Sequence, residues 1–289
     1  MDPHDAALDL TCLPSVGAID TSVLWTDIPV TRISCAEGAL LDVYLDRHDR
    51  WTEKVRLVGL DGGVLADHRL LPGLARLADR LCDRAGWRRP DVFVVSDIGR
   101  RGIDGWSAVS VMSEGVPLIL LGSQLVEALD TQGLAFVIGH ELGHLVGYTP
   151  EWRREMSLSF LIRECMEGDR SEALRLFDAR RDWTATYRQV MANARAMETR
   201  CDRLGLVLCG DLRKAANAML TVTLRSAALA RGVDLDRYLA VQLPLLSRSP
   251  EAHPLSMNAG HPFVPYRLQS LASFTKSGGL AWALDTFRR

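Results

Sequence analysis

Residues 131–150 read T-Q-G-L-A-F-V-I-G-H-E-L-G-H-L-V-G-Y-T-P. Asp130 or Thr131 can cap a helix that runs through Gly133 to about Gly147, and Tyr148-Thr149-Pro150 ends it. On that helix His140 and His144 lie four residues apart, about 40° apart on one face and one turn above the other. Two imidazoles so placed can ligate one divalent metal, and Glu141 then points toward the metal's water rather than the metal. A zinc peptidase uses this geometry: zinc acidifies the water and the glutamate accepts its proton. The flanks suit a buried helix, since Val137, Ile138, Leu142, Leu145 and Val146 are apolar and Glu141 is the only charge between Thr131 and Pro150.

A third ligand is needed. The extended pattern HExxHxxGxxH finds its glycine at Gly147, but the following ligand position is Pro150, which cannot bind metal. A carboxylate on a later helix is the other route. Residues 197–205 read M-E-T-R-C-D-R-L-G, with Glu198 and Asp202 four apart on one helix face. Glu198 would complete a His2Glu site with one position open. Asp202 could accept the free N–H of a ligating histidine and fix its tautomer. Spacing alone also allows a solvated face paired as Glu198–Arg195 or Asp202–Arg203. Cys201 would project about 100° from Asp202 and about 60° from Glu198, into the core.

Together, H-E-L-G-H at 140–144, E-T-R-C-D-R-L-G at 198–205 and H-P-F-V-P-Y-R at 261–267 resemble, in order, the motifs of the zinc metallopeptidases typified by HtpX and the CAAX prenyl proteases (family 48 of the metallopeptidases, gluzincins). V-P-L-I-L-L-G-S-Q-L-V-E-A-L at 116–129 is similar to that family's strand and short helix before the zinc helix, so the resemblance covers about residues 70–275. It implies one Zn2+ on His140, His144 and Glu198, with Asp202 behind a ligand and Glu141 as general base. Cys201 stands where the family usually has Ala. Trp106-Ser107-Ala108 stands where it often shows Asn-Ala. The best-known members are membrane proteins, so their prenylated or membrane substrates are not carried over. His261 either donates to the developing oxyanion or covers the metal as a fourth ligand. Alternatively, His261-Pro262 only caps a helix starting near Phe263, with Arg267 pairing a carboxylate. His253, also followed by Pro, competes for the role, whereas His4, His48 and His68 read as surface histidines.

Around these motifs the chain reads as α+β: a mainly helical, zincin-like metallopeptidase domain at 66–289, with a small mixed β-sheet whose edge strand borders the cleft. A lead-in segment of short strands and turns is expected at 1–65. Helix is expected over Leu70–Trp87, strand over 91–97, 107–112 and 117–121, and helix over 151–166, 169–180, 183–209, 211–231 and 263–273. Pro117 suits an edge strand, because an edge tolerates its missing N–H. An added peptide strand would gain main-chain hydrogen bonds at such an edge; equally, the proline serves only to blunt a plain sheet edge. Trp152, Met156 and Phe160 would cover the zinc helix, and the arginines between 170 and 188 form a solvated face.

Composition narrows the function. The 289 residues carry 34 Lys and Arg against 36 Asp and Glu, a net charge of −2, which shows no nucleic-acid footprint. The longest charge-free apolar run, Gly115–Val126, falls short of the roughly 20 residues of a membrane span. The start, with Asp2, Asp5 and Asp9, is unlike a basic leader. Six scattered cysteines, without a CxxC spacing, read as buried thiols and not as a structural zinc cage. The expectation is a soluble, cytoplasmic zinc metalloendopeptidase acting on peptide or protein substrates, with Glu141 and His261 as catalytic residues. The alternative is a latent or inactive relative that binds a protein partner through the same cleft.

Overall fold

A computed structural model describes residues 8–31, 38–96, 105–167, 183–249 and 261–288. Among the described residues, three short strands and one shorter still form a four-stranded sheet. They are β1 (Gly63–Leu65), β2 (Asp91–Val95), β3 (Ala108–Ser113) and β4 (Val116–Gly122), in the order β1-β2-β4-β3. β2 and β4 run parallel, with Asp91 opposite Leu118, while β1 and β3 pair antiparallel at the outside. The sheet is mixed, as expected, but its edge near the cleft is β3. The strand carrying Pro117 is interior. Pro117 is tolerated there because it pairs only with Met112 of β3 and precedes the first β4 residue that meets β2.

The sheet is covered on both faces, and the period-2 alternation shows which residues face which way. Val92, Ile119 and Leu121 join the main core beneath α3 (Pro72–Ala85) and α5 (Thr131–Val146). Phe93, Val95, Val111, Leu118 and Leu120 face Val55 and Val58 of α2 (Gly38–Gly62). A Cβ on Gly59 would stand 3.0 Å from Leu120 and Phe93 side-chain atoms, so α2 rests close on this face.

The expected short strands and turns before residue 65 are therefore replaced mainly by one helix of 25 residues, which includes the charged stretch 46–56. Only Thr52, Val55 and Val58 form its fully buried stripe among the described side chains, too narrow a signal to read as an amphipathic helix from the letters. Before it lie a 3-10 turn at Leu10–Cys12 and the short α1 (Thr21–Leu24), each capped by an aspartate, Asp9 and Asp20.

After the sheet, α4 (Ser123–Ala128) leads into α5, where Asp130 is the cap: its carboxylate accepts from the Gly133 N–H at 2.9 Å. The remaining helices are α6 (Pro150–Glu167), α7 (Trp183–Cys209), α8 (Leu212–Leu224), α9 (Ala227–Arg231), α10 (Leu235–Arg248), α11 (Val264–Lys276) and α12 (Gly279–Thr286). One helix was expected over 211–231. It breaks where Arg225 turns left-handed (φ 52°) and Ser226 caps α9. The helix expected at 169–180 lies outside the described residues, and so does His253.

α5 packs chiefly on α7, with α8, α3 and β3 around it. The seam with α7 is lined by residues almost without side chains. A Cβ on Gly139 would lie 2.9 Å from the Gly205 Cα, one on Gly143 2.7 Å from the Cys201 Cα, and one on Gly205 2.6 Å from the Phe136 carbonyl oxygen. α6 packs chiefly on α2 and α7; of the residues expected to cover α5, Trp152 lines the cleft together with His140 and His144, and the Phe160 side chain lies outside the described ones.

Candidate metal centre

The α5–α7 crossing brings the two sequence motifs face to face. Nε2 of His140 and Nε2 of His144 are 3.2 Å apart. Glu198 reaches across from α7, with Oε1 3.3 Å from His144 Nε2 and Oε2 3.6 Å from His140 Nε2. Tetrahedral ligand atoms held about 2.0–2.1 Å from one centre stand about 3.3 Å apart. The three residues thus form a group that could hold a metal ion.

Two further observations fit that use. Glu198 is 3% exposed, and its Oε2 is buried without a hydrogen bond among the described residues, an arrangement that is costly unless something else meets it. His140 Nδ1 is 2.9 Å from Asp202 Oδ1, so the carboxylate can accept a hydrogen bond from Nδ1–H, which keeps the proton on Nδ1 and leaves the Nε2 lone pair facing Glu198.

Arg267, from α11, locks this arrangement. Its Nε and Nη2 donate to the two oxygens of Asp202 at 2.8 and 2.6 Å, and Nη1 stands 3.4 Å from Glu198 Oε2. Burial pushes the Asp202 carboxyl up, but the Arg267 charge and hydrogen bonds, with the His140 contact, bring it below the ordinary range. The guanidinium is in turn pulled down by burial yet held above its usual value by Asp202 and Glu198. Glu198 behaves alike: burial raises it, while hydrogen bonds to His144 and His261 and the nearby imidazoles carry it well below.

The general-base candidate Glu141 is 7% exposed and accepts from Ser110 Oγ on β3 at 2.7 Å. His261 is 78% exposed at its side chain, and its Nδ1 lies 3.1 Å from Glu198 Oε1. The helix after it begins at Val264 with no side-chain cap bond, so His261 is no cap. Cys201 is fully buried against Gly143, and burial pushes its thiol up to about 11, as befits a core residue.

Ser110 was not singled out by sequence reasoning, because a serine in a short strand carries no motif. Arg267 was read only as a partner of some carboxylate, and His48 as a surface residue. His48 in fact lines the cleft, beside Trp51 at a ring distance of 6.1 Å. His68 is a surface residue, 2.8 Å from Asp79.

The cleft over the centre has a volume of about 480 Å³ and is bordered by β3 from Ala108 to Met112. A helix bearing two histidines and a glutamate, a second helix supplying a carboxylate, and a sheet edge alongside make the framework of a metal-dependent peptidase. Residues 111–275 match the model described as peptidase family M48, more than half of the 289 residues, and the chain belongs to that family. No curated protein and no solved structure matches the chain. Among the described residues no helix is long and apolar enough to cross a membrane.

Proposed function

We propose that the protein is a zinc-dependent endopeptidase that hydrolyses peptide bonds in extended segments laid along β3. The observation that carries this reading is the convergence of His140 Nε2, His144 Nε2 and the Glu198 carboxylate at 3.2–3.6 Å, with the buried Glu198 Oε2 lacking a hydrogen bond among the described residues. A Zn2+ ion there would acidify a water and polarise the scissile carbonyl.

The chain's own residues do the rest. Asp202 holds the His140 proton on Nδ1, and Arg267 holds Asp202. Ser110 donates to Oε2 of Glu141 and leaves Oε1 to take the proton of the attacking water and later deliver it to the leaving amine. His261, anchored through Nδ1 on Glu198, keeps Nε2 for the carbonyl oxygen as negative charge develops there. β3 supplies the backbone donors and acceptors that align the substrate.

Elemental analysis of purified protein should show about one zinc per chain. A Glu141→Gln variant should keep the metal and lose cleavage of peptides blocked at both ends. Protein without bound zinc, or a Glu141→Gln variant that cleaves at the wild-type rate, would sink the proposal. Cleavage of unblocked ends only would replace endopeptidase by exopeptidase. Stoichiometric zinc with no cleavage of any peptide would instead favour a latent protein that binds a partner through the cleft.

A further inference from the structure

The cleft has a wall that the metal motifs do not account for. α2 places His48, Trp51 and Thr52 at positions i, i+3 and i+4, hence on one helical face, and all three line the cleft. Tyr148, just after α5, and Trp152 of α6 line the same cleft. α2 and α6 are tied where Arg153 Nε donates to Asp49 at 3.1 Å. Trp51 is 48% exposed, a large cost for an indole unless something covers it in use. These α2 residues lie outside the 111–275 span matched by the family model.

Position along β3 follows from shared neighbours. Ser110 marks the catalytic level through its bond to Glu141. Thr52 and Tyr148 also line a second cavity together with Met112, so the aromatic wall stands at the Met112 end. Same-face residues on a strand are about 7 Å apart. In a peptide paired with β3, a side chain on the Met112 side of the reacting bond therefore lies toward the wall to which Trp51, Tyr148 and Trp152 contribute. Charge complementarity also points one way. Apart from histidines, the charged residues among those lining the cleft are Glu141, Glu198 and Arg267, all at the metal centre. Asp49 and Arg153, behind the wall, neutralise each other. Of the wall's own side chains in the cleft only His48 can carry a charge, the charged Asp49, Arg50, Glu114 and Arg153 lining the adjoining cavity, whereas a bulky apolar substrate side chain covers exposed indole.

We propose that Trp51, Tyr148 and Trp152 form a specificity subsite that selects peptides with a large apolar or aromatic side chain on the Met112 side of the scissile bond. This rests on the peptidase reading above. The test uses the zinc-loaded full chain and doubly blocked peptides in which each of the three positions on either side of the bond is scanned through Ala, Leu, Phe, Lys and Glu. In the wild type one position should favour Phe over Ala by about tenfold or more in kcat/KM. That ratio should fall about tenfold in Trp51→Ala and in Trp152→Ala, and survive largely in Trp51→Phe. Circular dichroism and thermal midpoints check that each variant is folded. Cleavage without such a preference, or a preference that outlasts both alanine variants, overturns the subsite alone. Failure of the wild type to cleave any peptide overturns the peptidase reading and the subsite with it.

Discussion

His140 and Asp202, 62 residues apart in sequence, are joined at 2.9 Å between Nδ1 and Oδ1, and Arg267 donates to both oxygens of Asp202. One carboxylate therefore serves two ends: it can set the tautomer of a candidate metal-ligating histidine and balances a buried guanidinium. Asp202→Asn is expected to weaken metal affinity by about 10–100-fold in a chelator competition assay. Asp202→Ala should in addition cost about 3–5 kcal/mol in metal-free protein, read from the urea midpoint, since Arg267 then loses its principal counter-charge.

The α5–α7 seam predicts a sharp steric contrast. Alanine at Gly143 or Gly205 would drive a methyl group into opposing backbone at 2.7 or 2.6 Å, and backbone cannot swing aside as a side chain can. Each substitution should cost about 1–3 kcal/mol and, by parting the helices, should lower metal affinity as well. Gly62→Ala meets open space, so its thermal midpoint should match or slightly exceed the wild type's. Equal behaviour of all three variants would contradict the close approach.

Asp130 links helix capping to pH. Burial pushes its carboxyl up, but the Lys214 ion pair and the Gly133 N–H bring it below the ordinary carboxylate value. A lowered folded value means that this stabilisation is complete above about pH 4 and is lost as pH falls through the folded value. Asp130→Ala should cost about 1 kcal/mol at pH 7. The cost should shrink toward pH 3, as measured by urea denaturation at both values. A penalty that grows on acidification would refute the sign.

Ser110 offers a test of the proposed base that spares the candidate ligands. Its hydroxyl donates to Glu141 at 2.7 Å and, among the described hydrogen bonds, reaches none of the three residues that could hold a metal. Ser110→Ala should lower kcat about tenfold, the size expected for one lost hydrogen bond to a charged group. Zinc content should stay at the wild-type level. Loss of metal in this variant would show that Ser110 acts through the site's architecture and not through Glu141.

Much of the centre was legible in the letters because helical spacing turns sequence distance directly into geometry. His140 and His144 need only one helix to meet, and Glu198 with Asp202 need only a second. What spacing left open was how the two helices meet, and that rests on Gly139, Gly143, Gly205 and Cys201 packed nearly backbone to backbone. The long-range partners were less visible. Arg267 reaches Asp202 across 65 residues, and although the motif at 261–267 marked it and suggested a carboxylate partner, spacing could not say which one. α2 escaped notice because its buried stripe is narrow and its other faces carry charges and the aromatic residues of the cleft. The edge strand was misplaced because Pro117 signals a strand end as readily as a sheet border.

β3 also has a bearing on solubility. A sheet margin with unpaired amides and carbonyls is ordinarily where identical chains zip together and aggregate. Here that margin borders the cleft, which residues of α2 and α6 also line, the two helices being tied to each other through Asp49 and Arg153. Helices set beside an edge are one of the ways in which native sheets blunt it against pairing with another copy.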